Sequence, residues 1–592
     1  QTPLFKEGQR GDYQMKQFIK FLSLMVIAFL FLTTGTAFAE KVTFVKEYNY
    51  NASDLDSKVS SRAIALEQVK RLLLEELGTY LISETEVKNF RLTKDQVTTY
   101  SAGVVSAEVV DEKWDGKTYY LKAKVSADPV EVTKSLQNIV NDKQKTKELE
   151  DSRKKAKDAL EEIERLKKEI AGLKQSPKQQ KEYAKAVKEL SAVDWFYKGY
   201  NFYESGNYNE ALEAYSKAIQ LNPQDADAYN NRGNAYADLG NHQQAMNDYN
   251  KAIQLNPQDA EAYNNRGVAR NKLGNHQQAI NDFNKAIQLN PKLAEAYNNR
   301  GIAYAGLGNH QQAINDYNKA IQLNPQYAAA YIGRGVAYGE LGNYKQAIND
   351  FNKAIELNPQ YAMAYNNRGI AYRKLGNYQQ AINNYNKAIQ LNPQYAEAYF
   401  NRGVAYDYLG NYQQAINDYN KAIQLNPQYA TAYNNRGYAY SNLGNYQQAI
   451  NDYNKAIQLN PQDAIAYRNR GNAYAQLKNY QQAIKEYTKA IELNKNDGSS
   501  YIWRGIAYAR LGADDNAIND LNKAYELDPD DQSGHYYSIA CMYSVQNKPD
   551  KACDYLKKSI EKGYKDWDWI KKDKDFDSIR NSSCYQEIMA GK

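Results

Sequence analysis

The chain has 592 residues, more than a single hydrophobic core usually serves, so it must contain several domains or a repeat array. Its 75 basic and 69 acidic residues are spread along the sequence and leave a net charge of only +6. Binding to a phosphate backbone needs a clustered basic face, so nucleic acid is excluded as an expected partner. Tyrosine, with 54 residues, far outnumbers phenylalanine, with 14, and such a bias indicates a repeated unit.

The first recognisable feature is an export signal over residues 15–39, if translation starts at Met15. Lys16 and Lys20 form a basic region, an apolar run follows over residues 21–32, and Ala37 and Ala39 frame a small-residue cleavage site. The run is shorter than the roughly 20 residues that cross a bilayer. We therefore expect cleavage near Glu40, no stable membrane span afterwards, and a periplasmic or secreted protein.

Residues 41–135 form a separate unit of mixed character. A helix-period stretch over residues 61–83 is followed by alternating, strand-like segments around residues 87–90, 103–114 and 117–128. Asp115 and Gly116 indicate a hairpin turn between the last two segments. The order predicts a small α+β domain, with one long helix against an antiparallel sheet.

This unit resembles the N-terminal domain of flagellar assembly protein T and of related bacterial envelope lipoproteins. The resemblance is carried by the SRAIALEQV helix and by the strand pair G-V-V…V-V-D-E-x-x-D-G-K-x-Y-Y-L. It covers fewer than 100 residues and contains no catalytic motif, so it implies an envelope location more than an activity.

Residues 141–176 are highly charged and carry apolar residues at seven-residue spacing. One set is Leu149, Ala156, Ile163 and Ile170, and a second set is Ala159, Leu166 and Leu173. This spacing predicts a short coiled coil, which could pair two chains into a homo-oligomer. The alternative is a single solvated helix that acts as a charged spacer.

From Ala192 onward the sequence repeats with a period of 34 residues. One aromatic residue marks each unit, at Trp195, Tyr229, Tyr263, Tyr297, Tyr331, Tyr365, Tyr399, Tyr433, Tyr467 and Tyr501. In the third unit the small residues Gly267 and Ala279 allow two helices to approach closely, and Phe283 fills the space between them. Pro291 then ends the second helix, because proline has no N–H to donate.

This pattern resembles that of tetratricopeptide repeats (TPRs), and the resemblance covers most of the chain. It implies a mainly α protein, a TPR α-solenoid in which helix-turn-helix repeats form a right-handed superhelix. Ten repeats are expected over residues 192–531. A degenerate repeat and a C-terminal cap are expected over residues 533–592.

A row of asparagines is the candidate binding site. Its members fall at one position of successive first helices and should line the inner, concave surface, at Asn231, Asn265, Asn299, Asn367, Asn401, Asn435 and Asn469. An amide both donates and accepts hydrogen bonds, so a row could hold a peptide backbone of any sequence. The row resembles the asparagine ladder in the TPR region of O-linked N-acetylglucosamine transferases, which grips extended polypeptide. The alternative is a tolerated, solvated helix residue.

A second regular feature pairs an arginine of the first helix with an acidic residue 16 positions later, as in Arg402 and Asp418. We expect a structural ion pair in each repeat, with a solvent-facing or ligand-binding arginine row as the alternative. The sixth repeat has Asn384 at the acidic position, so Arg368 should be less well paired.

All three cysteines lie near the C-terminus, where Cys541 and Cys553 flank a turn between two helices. In an oxidising compartment these two could form a disulfide, and the alternative is three free, partly buried thiols. No nucleotide-binding, metal-ligand or catalytic constellation is present in the sequence, so we expect no cofactor, no metal and no enzymatic activity.

The sequence thus predicts an exported, non-enzymatic TPR scaffold that binds extended polypeptide or partner proteins along its concave groove. The alternative is a structural or self-associating envelope protein, docked through the N-terminal domain and the coiled coil. A third interpretation is an enzyme or small-ligand site within residues 41–135.

Overall fold

The computed structural model describes residues 41–53, 56–83, 92–141, 143–170 and 177–590, and the predicted export signal at 15–39 lies outside them. The chain divides into two compact units between Ala303 and Tyr304, called unit 1 and unit 2 below. Among the described helices, none combines the length and the apolarity that crossing a bilayer requires.

Unit 1 begins with a small sheet and continues into helices. Its elements are β1 (Val42–Asn51), α1 (Lys58–Ser83), α2 (Lys94–Ser101), β2 (Glu108–Trp114), β3 (Thr118–Ala127), α3 (Pro129–Asn141), α4 (Lys143–Ile170), α5 (Pro177–Glu204), α6 (Tyr208–Leu221), α7 (Ala226–Asp238), α8 (His242–Leu255), α9 (Ala260–Lys272), α10 (His276–Leu289) and most of α11 (Ala294–Gly306), within which the boundary falls.

The sheet is antiparallel in the order β1-β3-β2 and packs against α1. The central strand alternates as a half-buried strand should, with Tyr119, Leu121 and Val125 turned into the core. The predicted hairpin turn is confirmed, since Gly116 has a φ of +96° and Asp115 accepts hydrogen bonds from the backbone N–H groups of the two residues that follow this glycine. The mixed α+β character of this region is therefore confirmed. The extended segment predicted around residues 87–90 lies outside the described residues.

The predicted coiled coil is not confirmed. The heptad residues Leu149, Ala156 and Ile163 of α4 are at most 4% exposed. They are buried in the same apolar core as the sheet, α1 and residues of α5 such as Leu190. These heptad residues are covered by other parts of the same protein, so they offer no surface to a second chain. The solvated-spacer alternative is wrong for the same reason.

Unit 2 consists of helical pairs followed by a smaller C-terminal cluster. Its elements are α12 (His310–Leu323), α13 (Ala328–Glu340), α14 (Tyr344–Leu357), α15 (Ala362–Lys374), α16 (Tyr378–Leu391), α17 (Ala396–Tyr408), α18 (Tyr412–Leu425), α19 (Ala430–Asn442), α20 (Tyr446–Leu459), α21 (Ala464–Gln476), α22 (Tyr480–Leu493), α23 (Gly498–Arg510), α24 (Asp514–Leu527), α25 (Gln532–Val545), α26 (Pro549–Glu561), α27 (Trp567–Lys572), a 3-10 turn (Lys574–Phe576) and α28 (Ser583–Ala590).

Each regular repeat is a pair of helices in close contact through a glycine. In α13, a Cβ placed on Gly335 would lie only 2.6 Å from Cε1 of Phe351 on α14. Ala347 and Ala354 of α14 are fully buried beside the ring. A turn with Gly342 at a φ of +77° separates the two helices, a conformation that glycine adopts without strain. Small residues thus set the helix spacing, as the sequence predicted.

The predicted pairing of Cys541 with Cys553 is wrong. Cys553 of α26 is bonded to Cys584 of α28, and Cys541 of α25 is a buried free thiol. The physical reason is the position of the cap. Cys541 faces Asp573, with 3.7 Å between its Sγ and the carboxylate Oδ2, whereas Cys553 faces the C-terminal helix.

The glycine contact makes a testable prediction with an internal control. We expect Gly335→Ala to destabilise the protein by about 1–3 kcal/mol, because the added methyl overpacks against Phe351. Gly339 lies on the same helix, and a Cβ added there would have no neighbouring atom within 4 Å. Gly339→Ala should stabilise by up to about 1 kcal/mol through helix propensity. Urea unfolding followed by circular dichroism measures both, and equal midpoints for the two variants would contradict the packing role of Gly335.

Candidate functional site

The asparagine row lies on one face of the first helices. On a helix, residues separated by three or four positions share a face. Four positions of each first helix therefore form one surface. Counted from the marker aromatic residue, they are the second residue before it and the second, fifth and ninth residues after it. This surface is called the asparagine face below. In α15, where the marker is Tyr365, this face consists of Met363, Asn367, Ile370 and Lys374.

Several asparagines of the row bond to the neighbouring repeat. In unit 1, Asn299 Nδ2 donates to Asn264 Oδ1 at 3.1 Å, and Asn265 Nδ2 donates to Asn230 Oδ1 at 3.2 Å. The acceptor is the asparagine that directly follows the marker of the preceding repeat. These amides join successive repeats, which the sequence alone did not predict.

The same bond recurs in unit 2, but not in every repeat. Asn401 donates to Asn366 and Asn469 donates to Asn434, each at 3.1 Å. The acceptor position before Asn367 holds Ile332, and the one before Asn435 holds Phe400. Apolar side chains cannot accept, so Asn367 and Asn435 have no inter-repeat bond of this type.

The first asparagine of the row is covered by another part of unit 1. Asn231 is 6% exposed and donates to Glu148 Oε2 of α4 at 3.2 Å. Further along α4, the ammonium group of Lys155 lies 3.1 Å from Asp225 and 3.3 Å from Asp227. Burial opposes the charge of Lys155, but these carboxylates outweigh it and raise the pKa of the lysine. Helix α4 thus occupies the asparagine face at this repeat.

In unit 2 the asparagine face carries exposed apolar side chains. Within the described first helices of this unit, every large apolar residue that is strongly exposed falls on this face, at Val336, Met363, Tyr408, Tyr438, Ile465 and Trp503, with 38% to 61% exposure. Tyr408 is further oriented by stacking on Tyr378, with ring centroids 5.0 Å apart. The exposed apolar groups of these helices are thus gathered on one face rather than scattered over the surface.

The arginine row is structural, as expected. Seven described pairs join the two helices of a repeat at 2.6–2.7 Å, namely Arg232–Asp248, Arg266–Asp282, Arg334–Asp350, Arg402–Asp418, Arg436–Asp452, Arg470–Glu486 and Arg504–Asp520. In the sixth repeat, Arg368 Nε donates to the neutral Asn384 at 2.7 Å. Burial without a carboxylate partner lowers the pKa of Arg368, whereas the pKa of Arg402 is raised despite burial because Asp418 is its partner.

One cluster of the cap has the residue types of a metal site. Ligand atoms of Cys541, Asp573 and Asp575 lie within 4.8 Å of one another. However, Asp573 accepts from the Tyr537 hydroxyl at 2.6 Å and Asp575 is paired with Arg510 at 2.6 Å. Burial, with Asp573 nearby, raises the pKa of the Cys541 thiol well above its usual value. These contacts describe an internal network, and we assign no metal to it.

The repeat geometry defines a class of protein, the α-solenoids built from helical hairpins of 34 residues. Family models agree on the particular repeat. The TPR repeat model matches residues 199–240, 233–274 and 369–407. Tetratricopeptide repeat models match residues 260–293, 294–327, 328–361, 351–383, 396–429, 430–463, 464–497 and 498–531. Together they cover residues 199–531, more than half of the chain, so the protein belongs to the tetratricopeptide repeat family.

Several solved structures are similar to parts of the chain. MamA is 30% identical over 28% of this chain and 96% of its own, with a TM-score of 0.26. YrrB, described as a TPR protein with an unusual peptide-binding site, is 28% identical over 31% of this chain and 95% of its own, with a TM-score of 0.27. Yeast Tom70 is 18% identical over 68% of this chain and 100% of its own, with a TM-score of 0.33. A comparison with curated proteins gave no match.

The sixth repeat offers a direct test of the arginine pairs. Asn384→Asp should restore the bidentate pair with Arg368 and stabilise the protein by about 1 kcal/mol, since hydrogen bonds to charged groups are the stronger ones. Asn383→Asp is the matched control, because it adds the same charge at an exposed neighbour. Chemical unfolding midpoints measure both changes. A gain from Asn383→Asp equal to that from Asn384→Asp would contradict the structural role of the pair.

Proposed function

We propose that this TPR protein is an exported scaffold that binds extended polypeptide along the asparagine face of unit 2. The observation that carries the proposal is the set of exposed apolar side chains on that face. Apolar groups gathered into one exposed patch commonly mark a site of interaction, whereas singly scattered ones are ordinary. The proposed role is binding, not catalysis.

Polar and apolar groups on this face would have complementary tasks. Asn367, which lacks the inter-repeat bond, is the amide best placed to donate to a peptide carbonyl, whereas the side chain of Asn435 also contacts the hydroxyl of Tyr419. Met363, Tyr408 and Tyr438 would bury side chains of the partner. Aromatic and methionine side chains supply large contact areas and adapt to different sequences.

The proposal assigns binding to unit 2 rather than to the whole asparagine row. In unit 1, Asn231 is bonded to Glu148 of α4, so a polypeptide would have to displace that helix to reach it. Asn265, Asn299, Asn401 and Asn469 already donate within the protein. For these four, the bond between repeats is the first role, and peptide binding would have to use their remaining hydrogen-bonding capacity.

Export is part of the proposal and has independent support. Residues 15–39 have the composition of a cleavable signal. The bond between Cys553 and Cys584 fits an oxidising compartment such as the periplasm. The resemblance of residues 41–135 to the N-terminal domain of flagellar assembly protein T favours the same envelope location.

Substitutions on the asparagine face test the proposal. The ligand is reduced and carboxymethylated α-lactalbumin, a soluble unfolded chain, labelled with fluorescein and followed by anisotropy. Tyr408→Ala combined with Tyr438→Ala should weaken its binding at least tenfold, because two exposed aromatic contacts of about 1 kcal/mol or more each are lost.

The matched control is Asn417→Ala combined with Gln424→Ala, which changes two residues on the second helix of the seventh repeat. This control should bind as the unaltered protein does. If both double variants bind equally well while keeping the same unfolding midpoint, the asparagine face is not the binding surface.

A further inference from the structure

A cavity lies at the C-terminal end of unit 2, between the tenth repeat and the cap. It has a volume of about 660 Å³ and is called the cap cavity below. Its walls come from α23, α24, α25 and the cap segment around α27, and they include Trp503, Tyr537, Tyr564, Trp569 and Asp573. None of these residues is used by the binding surface proposed above except Trp503.

The cap cavity continues the asparagine face. Ser499, Trp503 and Ile506 all line it, and they stand two before, two after and five after the marker Tyr501. Trp503 is 38% exposed and Trp569 of the cap is 48% exposed. A polypeptide that follows the asparagine face of unit 2 towards its C-terminal end would therefore reach this opening.

The walls of the cavity are acidic. Five aspartates line it, at Asp497, Asp528, Asp531, Asp573 and Asp575, and no lysine or arginine among the described residues does. Asp497 is paired with Arg468 and Asp575 with Arg510. The other three aspartates take part in no ion pair among the described residues. The cavity therefore holds more negative than positive charge.

The pKa shifts of titratable groups in the cavity are consistent with its negative charge. Burial, together with the nearby carboxylate of Asp573, raises the pKa of Asp575 and of the Cys541 thiol. Burial also lowers the pKa of His535, which disfavours a positive charge on this imidazole. A positive group entering the cavity would relieve the repulsion among the carboxylates.

The aromatic side chains suit a cation of organic type. Tyr537 and Tyr564 stack with centroids 4.4 Å apart, and the indoles of Trp503 and Trp569 stand at the opening. Guanidinium and ammonium groups are attracted to aromatic faces and to carboxylates together. A bare metal ion fits less well, because Asp573 and Asp575 already accept hydrogen bonds from Tyr537 and Arg510.

We propose that the cap cavity binds a guanidinium or primary ammonium group, carried by a basic side chain of the polypeptide that lies along the asparagine face of unit 2. The polypeptide as the source of the cation rests on the proposed function. The preference for a cation rests on the cavity alone. The cavity would thus give a binder of otherwise unspecific chains a preference for a basic residue at one end.

The test compares two short peptides by isothermal titration with the full chain. One is acetyl-Gly-Ser-Gly-Arg-Gly-Ser-Gly-amide, and the other has citrulline, the neutral isostere, in place of arginine. We expect at least tenfold tighter binding of the arginine peptide. Equal binding of the two peptides would overturn the proposal.

Single substitutions test whether the preference for the arginine peptide arises in the cap cavity. Trp569→Ala should weaken binding of the arginine peptide about tenfold and leave the citrulline peptide unchanged, and the exposure of Trp569 makes the fold tolerant of the change. Asp573→Asn should do the same while keeping an acceptor for the Tyr537 hydroxyl. Gln424→Ala, on the second helix of the seventh repeat, is the control and should leave the arginine preference intact. Loss of that preference in the control but not in the cavity variants would place the cation elsewhere and overturn the proposal.

The outcomes separate the two proposals. If acetyl-arginine amide alone binds as tightly as the peptide, the cavity takes a free cation and the polypeptide source is wrong. If the unfolded α-lactalbumin chain binds but arginine and citrulline peptides do not differ, the cavity proposal fails and the asparagine face stands. If the arginine preference holds but no unfolded chain binds, the cavity stands and the proposed function fails.

Discussion

The close contact between a glycine of the first helix and an aromatic ring of the second is the constraint on which most of the repeats depend, and in the tenth repeat Gly505 meets Leu521 in the same way. At Gly335 the distance from a Cβ to the ring of Phe351 would be 2.6 Å, and Gly369 and Gly403 stand in the same relation to Tyr385 and Tyr419. With no side chain at this point, the helices pack at a spacing that buries the ring and two alanines. Ion pairs between an arginine of the first helix and an acidic residue of the second also join the two helices of a repeat. Another face of each first helix takes no part in this contact between the two helices of a repeat. That face carries the asparagines and the exposed apolar groups.

The repeat architecture could be predicted from the sequence because every requirement of the fold recurs at a fixed interval. The glycine, the aromatic residue and the end of the second helix recur with a period of 34 residues. Each arginine and its acidic partner are separated by 16 residues. The role of the asparagines could not be predicted in the same way. Each partner lies in the preceding repeat, one position earlier within that repeat. Asn401 therefore donates a hydrogen bond to Asn366, which lies 35 residues earlier in the chain. The doubled asparagine that follows five of the ten markers was a signal for this bond, and Ile332 and Phe400 were signals for its interruption.

Contacts between distant segments were the part that sequence patterns did not determine. The heptad spacing of α4 correctly indicated an apolar stripe, but spacing cannot tell whether the stripe meets a second chain or the protein's own α5. The cysteine spacing likewise allowed Cys541 to face Cys553, whereas the cap brings Cys584 to Cys553 instead. The cap itself supplies Trp569 and Asp573 to a cavity, a role that a short, charged C-terminal segment does not indicate. In each case the deciding contact joins residues that no local rule connects.

The structure also divides the asparagine row into positions with different physical roles. Asn231 is bonded to α4, four members donate between repeats, and Asn367 and Asn435 lack that inter-repeat bond. The binding surface proposed for unit 2 is based on this division together with the exposure of Tyr408 and Tyr438. The asparagine face there combines amides, which bind any backbone, with apolar groups, which gain from burial. Such a surface suits a scaffold that accepts extended chains.

Site-specific photo-crosslinking tests the binding surface of unit 2 most directly. A benzophenone amino acid is placed either at Tyr438, on the asparagine face, or at Gln424, on the second helix of the preceding repeat. The full chain is then irradiated with the labelled unfolded polypeptide. We expect a strong crosslink from position 438 and little from position 424. Equal crosslinking at both positions, or a stronger product from position 424, would contradict binding along the asparagine face.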